Sequence, residues 1–219
     1  MKKFPVFGIG LGKTGTTSLN EVLLELGWDS IHFPNPDITR EILIGEARYN
    51  AATDTPIAVN YKVLYERYPG AKFILTTRKL DDWLDSIETH QRTKGKDGHN
   101  IPWIANLRQT LYGSATFDRE LYSDAFFKHN AEVVNYFFEQ SDGTNFNGKL
   151  LIIDLTVSYL SDYEKWVKIC KFLGEPLPVI DFPHSNKGRY NKLEIIRDNA
   201  KKEAYSVQYK KRSVKELTT

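Results

Sequence analysis

Between residues 8 and 19 the chain reads GIGLGKTGTTSL, with four glycines, one lysine and four hydroxyl side chains in twelve positions. That combination suits an anion. Glycines permit the tight turn, the helix that follows offers free backbone N–H groups at its start, and Thr14, Thr16, Thr17 and Ser18 add hydroxyl donors. Lys13 brings the charge. Three phosphate-loop patterns compete for the stretch. Gly10, Gly12 and Gly15 spell the dinucleotide fingerprint G-x-G-x-x-G. Gly8 through Lys13-Thr14 approaches the nucleotide-kinase loop but is one spacer residue short. The core Lys13-Thr-Gly-Thr-Thr17 suits a third type of loop, in which one lysine is followed by a cluster of hydroxyls.

Each pattern needs a partner elsewhere. A dinucleotide loop wants an acidic residue about 20 residues on, to hold a ribose. Asp37 is near that distance, but it follows Pro36 and reads as the N-cap of a helix over ITREIL. A kinase loop wants an acidic magnesium partner after a strand, and Asp154 in LLIIDL is the candidate. The third reading finds its partner in TTRKLDDWLDS. Arg78 ends a strand and Ser86 lies eight residues later, two helical turns on, so a guanidinium fork and a hydroxyl share one side of a strand-to-helix crossing. A phosphate monoester fits that pair. Trp83, between them, reads as core.

These residues need a frame. FPVFGI, SIHF, KFILTT and KLLIIDL are short, continuously apolar or β-branched runs that predict strands. Helical periodicity lies between them, in SLNEVLLELG, NPDITREILIGEA, PIAVNYKVLYERYPG and KLDDWLDSIETHQ. Aromatic-rich helices are expected over about 102 to 140, and SDYEKWVKICKFLG opens on a Ser161-x-x-Glu164 capping box. Buried strands joined by helical crossovers predict an α/β fold in three layers, a mostly parallel central sheet flanked by helices. Ligands of such sheets bind beyond the carboxyl ends of the strands, where the glycine loop, His32, Arg78 and Asp154 fall.

Composition excludes several function classes. Thirty Lys and Arg against 28 Asp and Glu give no polyanion signal for the whole chain, so no nucleic-acid partner is expected. From Lys187 onward ten basic residues face four acidic ones, which reads as a solvated basic helix. One cysteine, Cys170, rules out an internal disulfide and suits a reducing compartment; its apolar setting predicts a buried helix residue. The apolar run at the start is too short for a signal peptide, no stretch is long enough to span a membrane, and no Cys/His cluster would hold a metal. A cytoplasmic location without membrane association is expected.

Taken together, GKTGTTSL and the Arg-x7-Ser pair resemble the sulfotransferases that use 3'-phosphoadenosine 5'-phosphosulfate, most closely the small bacterial-type branch. AATDTP, YPGAKFILTTR, DDWLDSI, KFLGEPLP and FPHSN are similar to recurrent segments of that branch. The resemblance runs through most of residues 4 to 187 and implies a P-loop-like sulfotransferase domain over 1–190, with a basic helical extension over 191–219. It implies that Gly12, Lys13, Thr14, Gly15, Thr16, Thr17 and Ser18 hold the 5'-phosphosulfate, that Arg78 and Ser86 hold the 3'-phosphate, and that the product is 3',5'-adenosine bisphosphate. Two positions depart from the family pattern. Ser18 stands where many members carry an adenine-stacking Trp, and Lys187-Gly188-Arg189 is a permuted form of the late Arg-Lys-Gly segment.

Catalysis would then fall to Lys13, on the charge growing at the bridging oxygen, and to a general base, Asp54 or His32, with Glu88 and His90 as outsiders. Asp54 also reads as a cap for the helix at Thr55-Pro56. The acceptor, a small molecule or glycan bearing a hydroxyl or amine, would meet the aromatic stretch that holds Trp103, Tyr112, Phe117, Tyr122, Phe126 and Phe127. Two other functions fit the same loop: a nucleotide-binding module without chemistry, and an NAD-dependent oxidoreductase.

Overall fold

A computed structural model describes residues 3–94, 101–142 and 145–184. Within them five strands form one parallel sheet in the order β2-β3-β1-β4-β5: β1 (Val6–Gly8), β2 (Ser30–His32), β3 (Ala51–Thr53), β4 (Lys72–Thr76) and β5 (Leu150–Ile153). Helices α1 (Thr16–Glu25), α2 (Pro36–Ile44), α3 (Thr55–Ala58), α4 (Tyr61–Arg67), α5 (Leu80–Lys94), α6 (Pro102–Tyr112) and α7 (Arg119–Glu139) connect them, and α8 (Asp162–Leu173) follows the last strand. The chain leaves β1 for β2, returns to insert β3, then crosses to β4 on the other side of β1. The crevice where the order reverses therefore opens at the end of β1, directly under the glycine loop.

Three layers follow from the period of two along each strand. Val6, Ala51, Ile74 and Ile153 face one side and pack with Leu19, Val22 and Leu23 of α1 and with Trp166, Ile169 and Leu173 of α8. Phe7, Ala52, Phe73 and Leu75 face the other side, against Ile42 of α2, Tyr61 and Leu64 of α4 and Val133 and Phe137 of α7. A third cluster, around Trp83, Tyr112, Tyr122 and Phe126, joins α5, α6 and α7 to Leu11 of the glycine loop.

Strand β3 is absent from the sequence expectation. Its three residues, Ala-Ala-Thr, have little strand propensity, and their place is fixed by being buried between β1 and β2. The expected helix over PIAVNYKVLYERYPG is two helices, with Asn60 at the break. The cap of α2 is Asn35, whose side chain accepts from Ile38 N (2.9 Å); Asp37, expected as the cap, sits in the first turn behind Pro36. The Ser161–Glu164 capping box forms as read, and Cys170 is buried, with burial pushing its thiol up to about 11. No described helix is long and apolar enough to cross a membrane. Lys187, Arg189 and the expected basic extension lie outside the described residues.

Buried His129 of α7 donates from Nε2 to the carbonyl of Ile9 (2.9 Å), at the start of the glycine loop. A carbonyl only accepts, so the tautomer is set. Burial lowers the pKa of this imidazole, against a smaller pull upward from the Ile9 bond. A histidine held neutral in the fold stabilises it above the unfolded value of about 6.5, and that contribution drains away as pH falls below it. Between pH 7.5 and 5.5 the melting temperature should therefore drop further for the wild-type chain than for His129→Gln, which keeps a donor but cannot titrate. Equal drops would assign the acid sensitivity to another group.

Candidate functional site

The glycine loop is tied down by its acceptors. Ile9 O takes the His129 bond, and Leu11 O takes Thr14 N (3.3 Å) and Thr14 Oγ1 (2.7 Å). Gly12 O takes the indole N–H of fully buried Trp83 (2.9 Å), and Lys13 O takes Arg78 Nη1 (3.1 Å). Four loop carbonyls thus turn into the protein. At its end Gly15, with φ 97°, stands at the N-cap of α1 and gives no side-chain cap, and no acidic residue lies in the first turn of that helix. The positive end of the helix dipole therefore meets no acidic side chain from its own first turn.

Two glycines are required by close approach. A Cβ on Gly10 would lie 2.0 Å from Thr76 Oγ1 and 2.4 Å from Thr76 O. On Gly12 it would sit 3.1 Å from both Asp54 Oδ1 and Thr55 Oγ1. The loop therefore lies flat between the ends of β4 and β3.

Not every expected hydroxyl faces a ligand. Thr14 spends its proton on Leu11 O, so at its 2.7 Å contact with Thr76 the Thr76 hydroxyl donates. Thr16 Oγ1 donates to Asp54 Oδ2 (2.7 Å). Both threonines are buried, and their hydroxyls build the loop. Ser18 is buried as well, whereas Thr17 is half-buried.

Asp54 is the hub of this arrangement. Its Oδ1 accepts from Thr55 N (2.5 Å) and Thr55 Oγ1 (2.8 Å), capping α3. Its Oδ2 accepts from Thr16 and lies 3.3 Å from His32 Nε2. The Thr55 hydroxyl in turn accepts from Gly12 N (3.0 Å). Asp54 holds φ 86°, a region costly for any residue but glycine. Tyr112 of α6 is buried near the cluster, and burial with the nearby Asp54 charge drives its pKa well above the ordinary phenol range.

His32, at the end of β2, lies between the strands and the loop. Its Nε2 is 3.1 Å from Thr17 Oγ1, and its Nδ1 is 3.1 Å from Thr53 Oγ1. Thr16, Thr17, His32 and Asp54 are thus linked by direct hydrogen bonds or close contacts at one sheet edge, and Arg78 is bonded to Lys13 at the same edge. Ser86 is half-buried on α5. Asp154, after β5, accepts from Thr156 N and Oγ1 (2.7 Å each) in a local turn. Of the aromatic set, Tyr112, Tyr122 and Phe126 are core and Phe117 packs against them, while Phe127 is exposed. Trp103 instead meets Phe33.

As supports of the loop, Thr55, Thr76 and His129 escaped the sequence reading. All three hold it through one side-chain atom each, and nothing in their neighbouring sequence distinguishes them from ordinary strand or helix residues.

Comparison with known proteins shows the family of the chain. The family model described as "Sulfotransferase domain" matches residues 36–190, more than half of the chain, starting after the glycine loop. Ava biosynthesis cluster protein M of Aspergillus versicolor is 26% identical over 219 residues, covering 82% of this chain and 79% of that one. A solved sulfotransferase from Alicyclobacillus acidocaldarius is 14% identical, with a TM-score of 0.49 over 88% of each chain.

Because three donors and His32 converge on one buried carboxylate, Asp54→Ala should strand several polar groups at once. A loss on the order of 3 kcal/mol or more in denaturant unfolding is expected. A change under about 0.5 kcal/mol, the usual level for surface substitutions, would show that Asp54 does not hold the loop.

Proposed function

The chain belongs to the sulfotransferase-domain family, and from that premise we propose that it moves a sulfuryl group from 3'-phosphoadenosine 5'-phosphosulfate to a hydroxyl acceptor, releasing 3',5'-adenosine bisphosphate. The observation that carries this reading is the 3.1 Å bond from Arg78 Nη1 to Lys13 O. It joins the two anion-binding motifs at one sheet edge, where a single nucleotide could meet both. The donor supplies an activated sulfur: the acceptor O–S bond forms, the bridging O–S bond breaks, and the 5'-phosphate leaves with the electron pair.

The residues divide this work by position. The first turn of α1, with no side-chain cap and no acidic residue of its own, receives the 5'-phosphate side. Lys13, at the apex of the loop with φ 72°, neutralises charge growing on the leaving oxygen. Arg78 and Ser86 take the 3'-phosphate. Arg78 Nε is buried with no hydrogen-bond partner among the described residues, a donor that a phosphate oxygen would satisfy.

His32 is the better base. Both oxygens of Asp54 already accept protein donors and hold the starts of α1 and α3 in place. In the productive tautomer Nδ1–H of His32 donates to Thr53 Oγ1, leaving Nε2 to receive the acceptor proton beside Thr17. The imidazolium so formed has Asp54 Oδ2 at 3.3 Å to stabilise it. Asp54 is then a positioning residue.

Transfer of labelled sulfate from the donor to an acceptor panel tests the activity; binding of 3',5'-adenosine bisphosphate without transfer would leave a nucleotide-binding module instead. Lys13→Ala should cut turnover far more than it weakens nucleotide binding. His32→Gln should lower turnover roughly a hundredfold or more with nucleotide affinity kept. Normal turnover in that variant would return the base role to Asp54. For Arg78→Ala, calorimetry should show about 2 kcal/mol more lost for 3',5'-adenosine bisphosphate than for 5'-AMP. Equal losses would make Arg78 a prop for the Lys13 carbonyl alone.

A further inference from the structure

We infer that the outer face of α7 docks a second copy of this chain, the two α7 helices pairing antiparallel about a twofold axis. Among the phenylalanines and tryptophans of the chain, only Phe127 and Phe138 are exposed, at 58% each. Each is the second ring of a Phe-Phe pair. The first rings, Phe126 and Phe137, are buried in two of the core clusters. The fold thus uses one ring of each pair and sends the other into water. Large apolar side chains exposed together on one face mark an interaction surface.

Their spacing makes a seam. Phe127, Ala131, Val134 and Phe138 follow one another at steps of four, three and four residues. That repeat keeps one stripe of a helix facing a partner helix. Ala131 is exposed and Val134 half-buried. The opposite face of α7 is already occupied, with His129 bonded to Ile9 O and Val133 and Phe137 packed in the core. Covering the seam therefore asks nothing of the fold.

A second copy is the occupant because the seam is its own complement. Large residues stand at both ends and smaller ones between them. An antiparallel twofold pair sets Phe127 against the partner's Phe138 and Ala131 against the partner's Val134, with the closest approach at the centre. Charge agrees with that pairing. Lys128 and Glu139 are exposed on the same flank of α7, and Lys128 makes a loose 4.0 Å contact with Glu132 within the helix. In an antiparallel pair like flanks meet, so Lys128 reaches the partner's Glu139 at each end of the seam. In a parallel pair opposite flanks meet, and the two charges are not brought together. The seam covers about 17 Å of helix. That is short for an interface, so a reversible dimer with a Kd on the order of tens of micromolar is expected.

Sedimentation velocity on the full chain, from about 1 to 300 μM, reads this association directly. The wild type should pass from monomer to dimer across that range. Phe127→Gln and Phe138→Gln alter exposed side chains and should keep the wild-type melting temperature, yet each should weaken dimerisation about tenfold or more. Lys128→Glu and Glu139→Lys should each weaken it about fivefold, since either change sets like charges together at both ends of the seam. An equimolar mixture of those two variants should regain the wild-type affinity, because opposite charges then meet again across the pair. A chain that stays monomeric at every concentration, as it would if a different partner covered this face, overturns the inference. So does a dimer that survives both phenylalanine substitutions. A dimer that those substitutions weaken but that mixing the charge variants does not restore overturns the antiparallel pairing.

Discussion

One buried carboxylate holds the binding edge of this protein together. Burying an ion costs several kcal/mol unless donors surround it, and Asp54 gathers Thr16 from α1, two donors from Thr55 of α3 and the imidazole of His32 from β2. These partners come from three different elements. The start of α1, the start of α3 and the end of β2 are therefore positioned by the same charge, and β3 is the strand that delivers it. The left-handed backbone at Asp54 is a cost that the gathered hydrogen bonds offset.

From that hub the glycine loop acquires its orientation. The carbonyls of Ile9, Leu11, Gly12 and Lys13 accept bonds from His129, Thr14, Trp83 and Arg78. Tying acceptors inward is as important to an anion as presenting donors outward, since a misplaced carbonyl would repel it. The loop is thus fixed by the fold itself, which would spare the proposed ligand an ordering cost. Of the five non-glycine residues with positive φ among the described ones, Lys13, Phe33 and Asp54 follow the three neighbouring strands β1, β2 and β3. The other two, Phe146 and Asn147, lie in the short 3-10 turn before β5. Most of the backbone strain therefore sits where the chemistry is proposed.

The sequence by itself determined the periodicity of most elements, the parallel α/β class and the glycine-rich turn that leads into α1. Those depend on local spacing: apolar runs bounded by turns, glycines before a helix, an arginine at a strand end. It also placed His32 and Arg78 at strand ends, because strand ends are readable from where apolar runs stop. It did not reveal β3, whose Ala-Ala-Thr becomes a strand only by lying between β1 and β2. Nor did it separate hydroxyls that build the loop from those left facing outward, since Thr14, Thr16 and Thr17 are alike in sequence and differ only in which partner the fold brings to them. How crowded the Asp54 carboxylate is was likewise left to tertiary structure. A carboxylate's role depends on how many donors already occupy it, and those donors come from residues 16 and 55 and the imidazole of residue 32, which only folding assembles around one atom pair.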